Sequence, residues 1–125
     1  MAKRTATECE GSHETQSSGS VPDDASVERA ANLFRALGDP SRLRLLSRLV
    51  EKRHCVGDLA EAEGEAMSTI SQRLRVLRGE NVVVRRRQGK HILYGLVDGH
   101  VKDLILNALA HAEEAPEIEV EEDEE

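Results

Sequence analysis

Tryptophan is absent, and Phe34 and Tyr94 are the only aromatic residues. Any core must therefore be built from Leu, Val, Ile and Ala, which suits helices packed on one another and on a small sheet. Apolar runs are short: none approaches the roughly 18 residues that cross a bilayer, and MAKRTATECEGSHE at the start has no apolar signal core. The chain therefore reads as cytoplasmic, with no membrane partner. Cysteine is scarce too. Cys9 and Cys55 are too few for a secreted disulfide scaffold, and in a reducing compartment a metal-binding or reactive role suits them better. At 125 residues the chain has room for one small domain.

Charge is plentiful but unevenly placed. The net charge is −7, yet Glu113 to Glu125 holds nine acidic residues and no basic one, while Val27 to Ala112 holds fifteen Lys and Arg against ten Asp and Glu. The part expected to fold is basic, and a local field of that sign is what a nucleic-acid partner responds to. Residues 1–26, rich in Ser, Thr, Glu and Gly, read as a flexible arm; 27–114 as the folded domain; 115–125 as an acidic disordered tail.

From Val27 the apolar residues Val27, Ala30, Ala31, Phe34 and Leu37 recur at helical spacing until Gly38. Asp39-Pro40 reads as an N-cap followed by proline at the first helical position, opening a helix with Leu43, Leu46, Leu49 and Val50 inward. A short helix, Val56 to Glu63, stops at Gly64. Ser68 is the expected cap of the next, Thr69 to about Glu80, with Ile70, Leu74 and Leu77 buried. Two helices joined by a tight connection form the DNA-reading arrangement whose second member enters the major groove. That second helix is expected to present Ser68, Thr69, Ser71, Gln72, Arg73 and Arg75, of which Gln favours adenine and Arg guanine.

VVVRRRQGKHILYGL follows as two strands joined at Gln88-Gly89-Lys90. Arg85, Arg86, Arg87, Lys90 and His91 crowd its tip, a wing placed for phosphate contact. The fold class expected is mainly α with a small β-hairpin, a winged helix-turn-helix acting as a homodimer on double-stranded operator DNA.

The last helix, Asp98 to Glu114, carries a different chemistry. His100 and His111 are eleven residues apart and leave the helix within about 20° of one direction, but about 16 Å apart along the axis. Ligands of one Zn²⁺ each lie roughly 2 Å from it. One copy cannot close both around a metal. Two antiparallel copies can, because Asp98 and His100 of one then face His111 and Glu114 of the other, and Val101, Leu104, Ile105, Ala108 and Ala112 offer a stripe for packing.

The segments LGDPSRLRLLSRL, CVGDLAEAEG, STISQRLRVLR, VVVRRRQGKHILYGL and DGHVKDLILNALAHAEE together resemble the ArsR/SmtB family of winged-helix metalloregulatory repressors, in its zinc, cadmium and lead sensing branch. The resemblance implies a homodimer that holds a palindromic operator without metal and leaves it when metal binds. It places Asp98, His100, His111 and Glu114 on the ligand positions of the paired C-terminal helices. It implies a second site, with Cys55 and Asp58 on the helix before the recognition helix and Cys9 and His13 on the arm. Zn²⁺ is the expected inducer. The thiolates of the arm site suit Cd²⁺ or Pb²⁺ as well, and the imidazole–carboxylate site suits Co²⁺. In many relatives the recognition helix has His and Gln where this chain has Gln72 and Arg73, which bears on the operator sequence.

Other readings explain less. A redox switch through Cys9 and Cys55 leaves the D-x-H and H-x-x-E pairs unused. A zinc hydrolase needs an open coordination position, a general base and a cleft; the sequence offers four ligands per site and little chain for a pocket, so the protein reads as a regulator and not an enzyme.

Overall fold

The computed structural model describes residues 22–114. The chain divides into a unit of residues 1–31 and a unit of residues 32–125, and the second holds the core. Among the described residues five helices and one hairpin follow in order: α1 (Asp24–Leu37), α2 (Pro40–Glu51), α3 (Val56–Glu63), α4 (Met67–Gly79), β1 (Val83–Gln88), β2 (His91–Leu96) and α5 (Gly99–Glu114).

Helix α1 begins three residues before the expected Val27, inside what reads by composition as the arm. The cause is Asp23, whose Oδ1 accepts from the backbone N–H of Ser26 at 2.9 Å. That bond holds the Asp23 carboxyl below its ordinary value. Asp39 caps α2 as its sequence foretells, accepting from Arg42 N–H at 3.0 Å with Pro40 in the first turn. Arg42 then turns back, Nε donating to Ala36 O at 2.8 Å and Nη2 to Arg35 O at 3.2 Å, so one side chain satisfies carbonyls left open at the end of α1. Along α2 the buried residues are Leu45, Leu46 and Leu49. Leu43 and Val50, expected inside, are only partly buried, because the inward stripe centres on the other three and leaves these two on its flank.

Gly64 ends α3 in the left-handed region at φ 66°, and Glu65 N–H reaches back to Ala60 O at 3.0 Å. This closure leads directly into α4, whose cap position is Ala66. Ser68 is therefore not the cap. It sits within the first turn, where Thr69 and Ile70 N–H already bond to Ala66 O. At the other end Asn81, with φ 60°, plays the part usually given to glycine, and Val82 N–H returns to Leu77 O at 2.9 Å.

The strands pair antiparallel from Val83 opposite Leu96 to Gln88 opposite His91. Only Gly89 and Lys90 remain in the loop, and Gly89 alone there has positive φ (64°), as a type II′ hairpin requires. The base of the hairpin is held twice. His54 and Tyr94 exchange backbone hydrogen bonds of 3.0 and 2.8 Å, and Val97 N–H donates to Val82 O at 3.0 Å. Leu45, Leu46, Leu59, Ile70, Leu77 and Val82 are fully enclosed, so α2, α3, α4 and the wing base share one core. Helix α5 adds Val101 and Ile105 to it.

Candidate DNA interface and metal-binding helix

Helix α4 is anchored by Ile70, Leu74 and Leu77, and that line decides which polar residues face outward. At about 100° per residue, Ser68, Gln72 and Arg75 point away from the core, and these three are exposed. Thr69, Ser71 and Arg73 lie on the flanks and are half-buried. Arg73 is also engaged: its Nη2 lies 3.2 Å from Glu65 Oε2. The six candidates of α4 thus separate into an outward trio and a flanking trio, a division that a motif read as a unit does not make.

The wing arginines are exposed, as are Lys90 and His91. Cross-strand register places Arg85 opposite Tyr94 and Arg87 opposite Ile92, on one face of the hairpin, whereas Arg86 pairs with Leu93 on the other. They form two surfaces. Between the end of α4 and the wing, Arg78, Asn81, Val83, Val84 and Arg85 line a polar cleft of about 360 Å³. Arg78 and Asn81 are not among the residues expected at the interface, because only the packing of α4 against the wing brings them beside Arg85. Arg78 and Arg85 both line the cleft, so the depression carries positive charge.

On α5 the four candidate ligands lie in two pairs, one at each end. Asp98 precedes the helix and caps it, Oδ1 accepting from Val101 N–H at 3.0 Å. Its Oδ2 lies 3.7 Å from His100 Nδ1, and the His100 side chain is 98% exposed. His111 and Glu114 are exposed at the far end. Among the described residues no group of three or more His, Cys, Asp and Glu gathers within the chain. The donor types fit a metal, but only as halves.

The expected packing stripe needs correction. Val101 and Ile105 are buried in the chain's own core at 7% and 1% exposure, so neither is free to meet a second copy. Leu104 and Ala108, on the side of the helix turned toward His100 and His111, remain available. They line an apolar cleft of about 190 Å³ with Phe34, Leu37, Gly38, Leu43 and Ile105. Phe34 is 58% exposed there, a large apolar side chain facing solvent.

Cys55 stands just before α3, at its cap position and not within it, and its thiol is free, half-buried and makes no capping bond. Asp58 is exposed in the first turn. Cys9 and His13 lie outside the described residues, as does the acidic segment 115–125. Next to Cys55, His54 has a buried Nε2 with no hydrogen-bond partner among the described residues.

Two helices at the geometry of a reading head, a cationic hairpin beside them and a terminal helix behind define a winged helix-turn-helix DNA-binding protein. Comparison with known proteins agrees. Residues 39–84 match the family described as "Bacterial regulatory protein, arsR family". A transcriptional repressor SmtB homolog of Synechocystis is 42% identical over 89 residues, covering 71% of this chain and 67% of that protein. The HTH-type transcriptional regulator NmtR of Mycobacterium tuberculosis is 42% identical over 91 residues, 73% of this chain and 76% of that one. Among solved structures, a homodimeric winged helix-turn-helix DNA-binding domain from Mycobacterium bovis superposes with a TM-score of 0.72 at 25% identity, over 83% of this chain and 99% of that one. The chain belongs to the ArsR family of bacterial transcriptional regulators, in the branch that contains SmtB and NmtR.

Proposed function

We propose that this protein is a cytoplasmic, metal-responsive transcriptional repressor that binds operator DNA as a homodimer without metal and releases it on binding Zn²⁺, with Cd²⁺, Pb²⁺ and Co²⁺ as further inducers, derepressing genes of metal efflux or sequestration. The observation that carries the reading is the pair of incomplete donor sets at opposite ends of one α5 face, Asp98 with His100 and His111 with Glu114, beside an uncovered apolar cleft. A second copy packed antiparallel on that face supplies what each half lacks.

In the metal-free dimer the two α4 helices enter successive major grooves while Arg85 and Arg87 meet flanking phosphates. Asp98 and His100 of one copy, with His111 and Glu114 of the other, would hold the ion, whose imidazole and carboxylate bonds would join the two helices. Fixing α5 against α5 fixes the spacing of the reading heads, since Val101 and Ile105 tie each α5 to the core that carries α4. Metal and DNA then compete through one quaternary equilibrium, and each weakens the other by the same factor. Cys9, His13, Cys55 and Asp58 form a second donor set that, with two thiolates, favours softer ions.

A mobility-shift titration on the DNA upstream of its own gene tests this. Binding without metal and release by Zn²⁺ are expected, with Cd²⁺, Co²⁺ and Ni²⁺ compared in parallel. A monomeric protein, or a complex indifferent to saturating Zn²⁺ and Cd²⁺, refutes the reading.

A further inference from the structure

Helix α4 carries more hydrogen-bonding side chains than one helix brings to base edges, and the free protein already sorts them. Arg73 leaves the helix only about 60° from the direction of buried Ile70, and its side chain is 20% exposed with Nη2 3.2 Å from Glu65 Oε2. Glu65 is itself held in place: its N–H closes the end of α3 on Ala60 O at 3.0 Å, beside left-handed Gly64. The carboxylate therefore ties the turn of the helix-turn-helix to the second turn of the recognition helix. On the outward side the pairing is different. Arg75 Nη1 lies 3.5 Å from Gln72 Oε1, both side chains facing solvent.

Resting on the DNA-binding reading above, we infer that Glu65 and Arg73 are a positioning pair that sets the recognition helix against its partner helix and reads no base, and that Gln72 and Arg75 are the base-reading pair, taking an adenine and a guanine at neighbouring base pairs of each half-site. Three helical residues rise about 4.5 Å, against about 3.4 Å between stacked bases, so side chains at this spacing that touch each other meet adjacent steps of one groove. Gln matches the N6 and N7 edge of adenine and Arg the O6 and N7 edge of guanine. The Gln72 oxygen has two lone pairs, so it accepts from adenine N6 while keeping its contact with Arg75. For Arg73 to read a guanine its side chain must swing from the helix flank, where Nη2 meets Glu65, to the outward face held by Gln72 and Arg75, which costs it the Glu65 contact. The electrostatics oppose that exchange.

Selection of bound sequences from a random DNA pool, run on the full chain and its variants, tests the assignment. The unaltered protein is expected to enrich half-sites with an adjacent A·T and G·C pair. Gln72→Ala should erase preference at the first and Arg75→Ala at the second, each by roughly 5- to 150-fold. Arg73→Ala should weaken binding to all sequences alike, and Arg73→Glu should do so more strongly, while both leave the sequence profile intact. The charge-swapped double variant, Glu65→Arg with Arg73→Glu, should then regain affinity with the original profile, a rescue that a base-reading Arg73 does not permit. Melting curves separate lost affinity from lost folding. Loss of preference at one base in Arg73→Ala, a uniform effect of Arg75→Ala, or no rescue by the swap overturns the inference. If the unaltered protein enriches no sequence, the repressor reading falls with it.

Discussion

The reading head and the terminal helix solve opposite problems. In α4 and the wing, one chain assembles a complete surface: Gln72, Arg75, Arg78, Arg85 and Arg87 are positioned by that chain's own core and hairpin register. On α5 the donors proposed for metal are split within one copy, Asp98 and His100 at one end and His111 and Glu114 at the other, kept apart by the length of the helix itself. Each copy of the proposed dimer carries that reading surface whole. On the function proposed above, donors that one copy cannot complete respond to assembly and to the ion that joins them, which is what a sensor requires.

The comparison can be broken first through packing. Ile105→Ala, at a position 1% exposed, should cost about 2–5 kcal/mol and lower the melting temperature of the whole domain. Phe34→Ala, at a position 58% exposed, should leave the stability of one copy within about 0.5 kcal/mol yet shift sedimentation toward monomer. An unchanged dimer would mean that the apolar cleft is not the contact between copies.

Function separates next. His100→Ala or His111→Ala should keep metal-free operator affinity and reduce the effect of Zn²⁺ on it from about 5- to 150-fold to none. If Cys55→Ser does this instead, sensing belongs to the cysteine-containing donor set. Asp98 sharpens the contrast because it caps α5 as well as offering a ligand oxygen. Asp98→Ala should lose about 1 kcal/mol of stability together with the metal response, whereas Asp98→Asn, an equally good cap, should lose the response alone. A metal response untouched in the Asn variant would reduce Asp98 to a cap.

The smallest effect lies in the wing. Arg85→Ala and Arg87→Ala should each lower the slope of log affinity against log salt by roughly 0.9, with no change in sequence preference. Arg86→Ala, on the other face of the hairpin, should change it less. Equal effects from all three would contradict the two-surface arrangement.

Much of this was legible in the residues. Asp39-Pro40, Gly64 and Gly89 punctuate the chain through local geometry, so α2, the end of α3 and the hairpin turn fall where composition places them. The start of α1 was misplaced because a single carboxylate, Asp23, outweighs the polar composition around it. Ser68 was misassigned because closure of α3 through Glu65 leaves Ala66 at the cap position. Two features lay beyond reach of pattern: the Glu65–Arg73 pair and the cleft of Arg78 with Arg85 each join residues whose proximity depends on the packing angle of neighbouring elements.

What the order of residues settles alone is periodicity, turn chemistry and donor type, because these follow from backbone dihedrals and side-chain identity within a few positions. It therefore announces a helix-turn-helix, a cationic wing and a helix with a histidine and a carboxylate toward each end. Which side of each element is already spent on the core was decided only in three dimensions. Burial takes Val101 and Ile105 away from any second copy, sets Arg73 aside for Glu65 and leaves Gln72, Arg75, Ala108 and Phe34 uncovered, since a side chain is free for function only when packing has not claimed it.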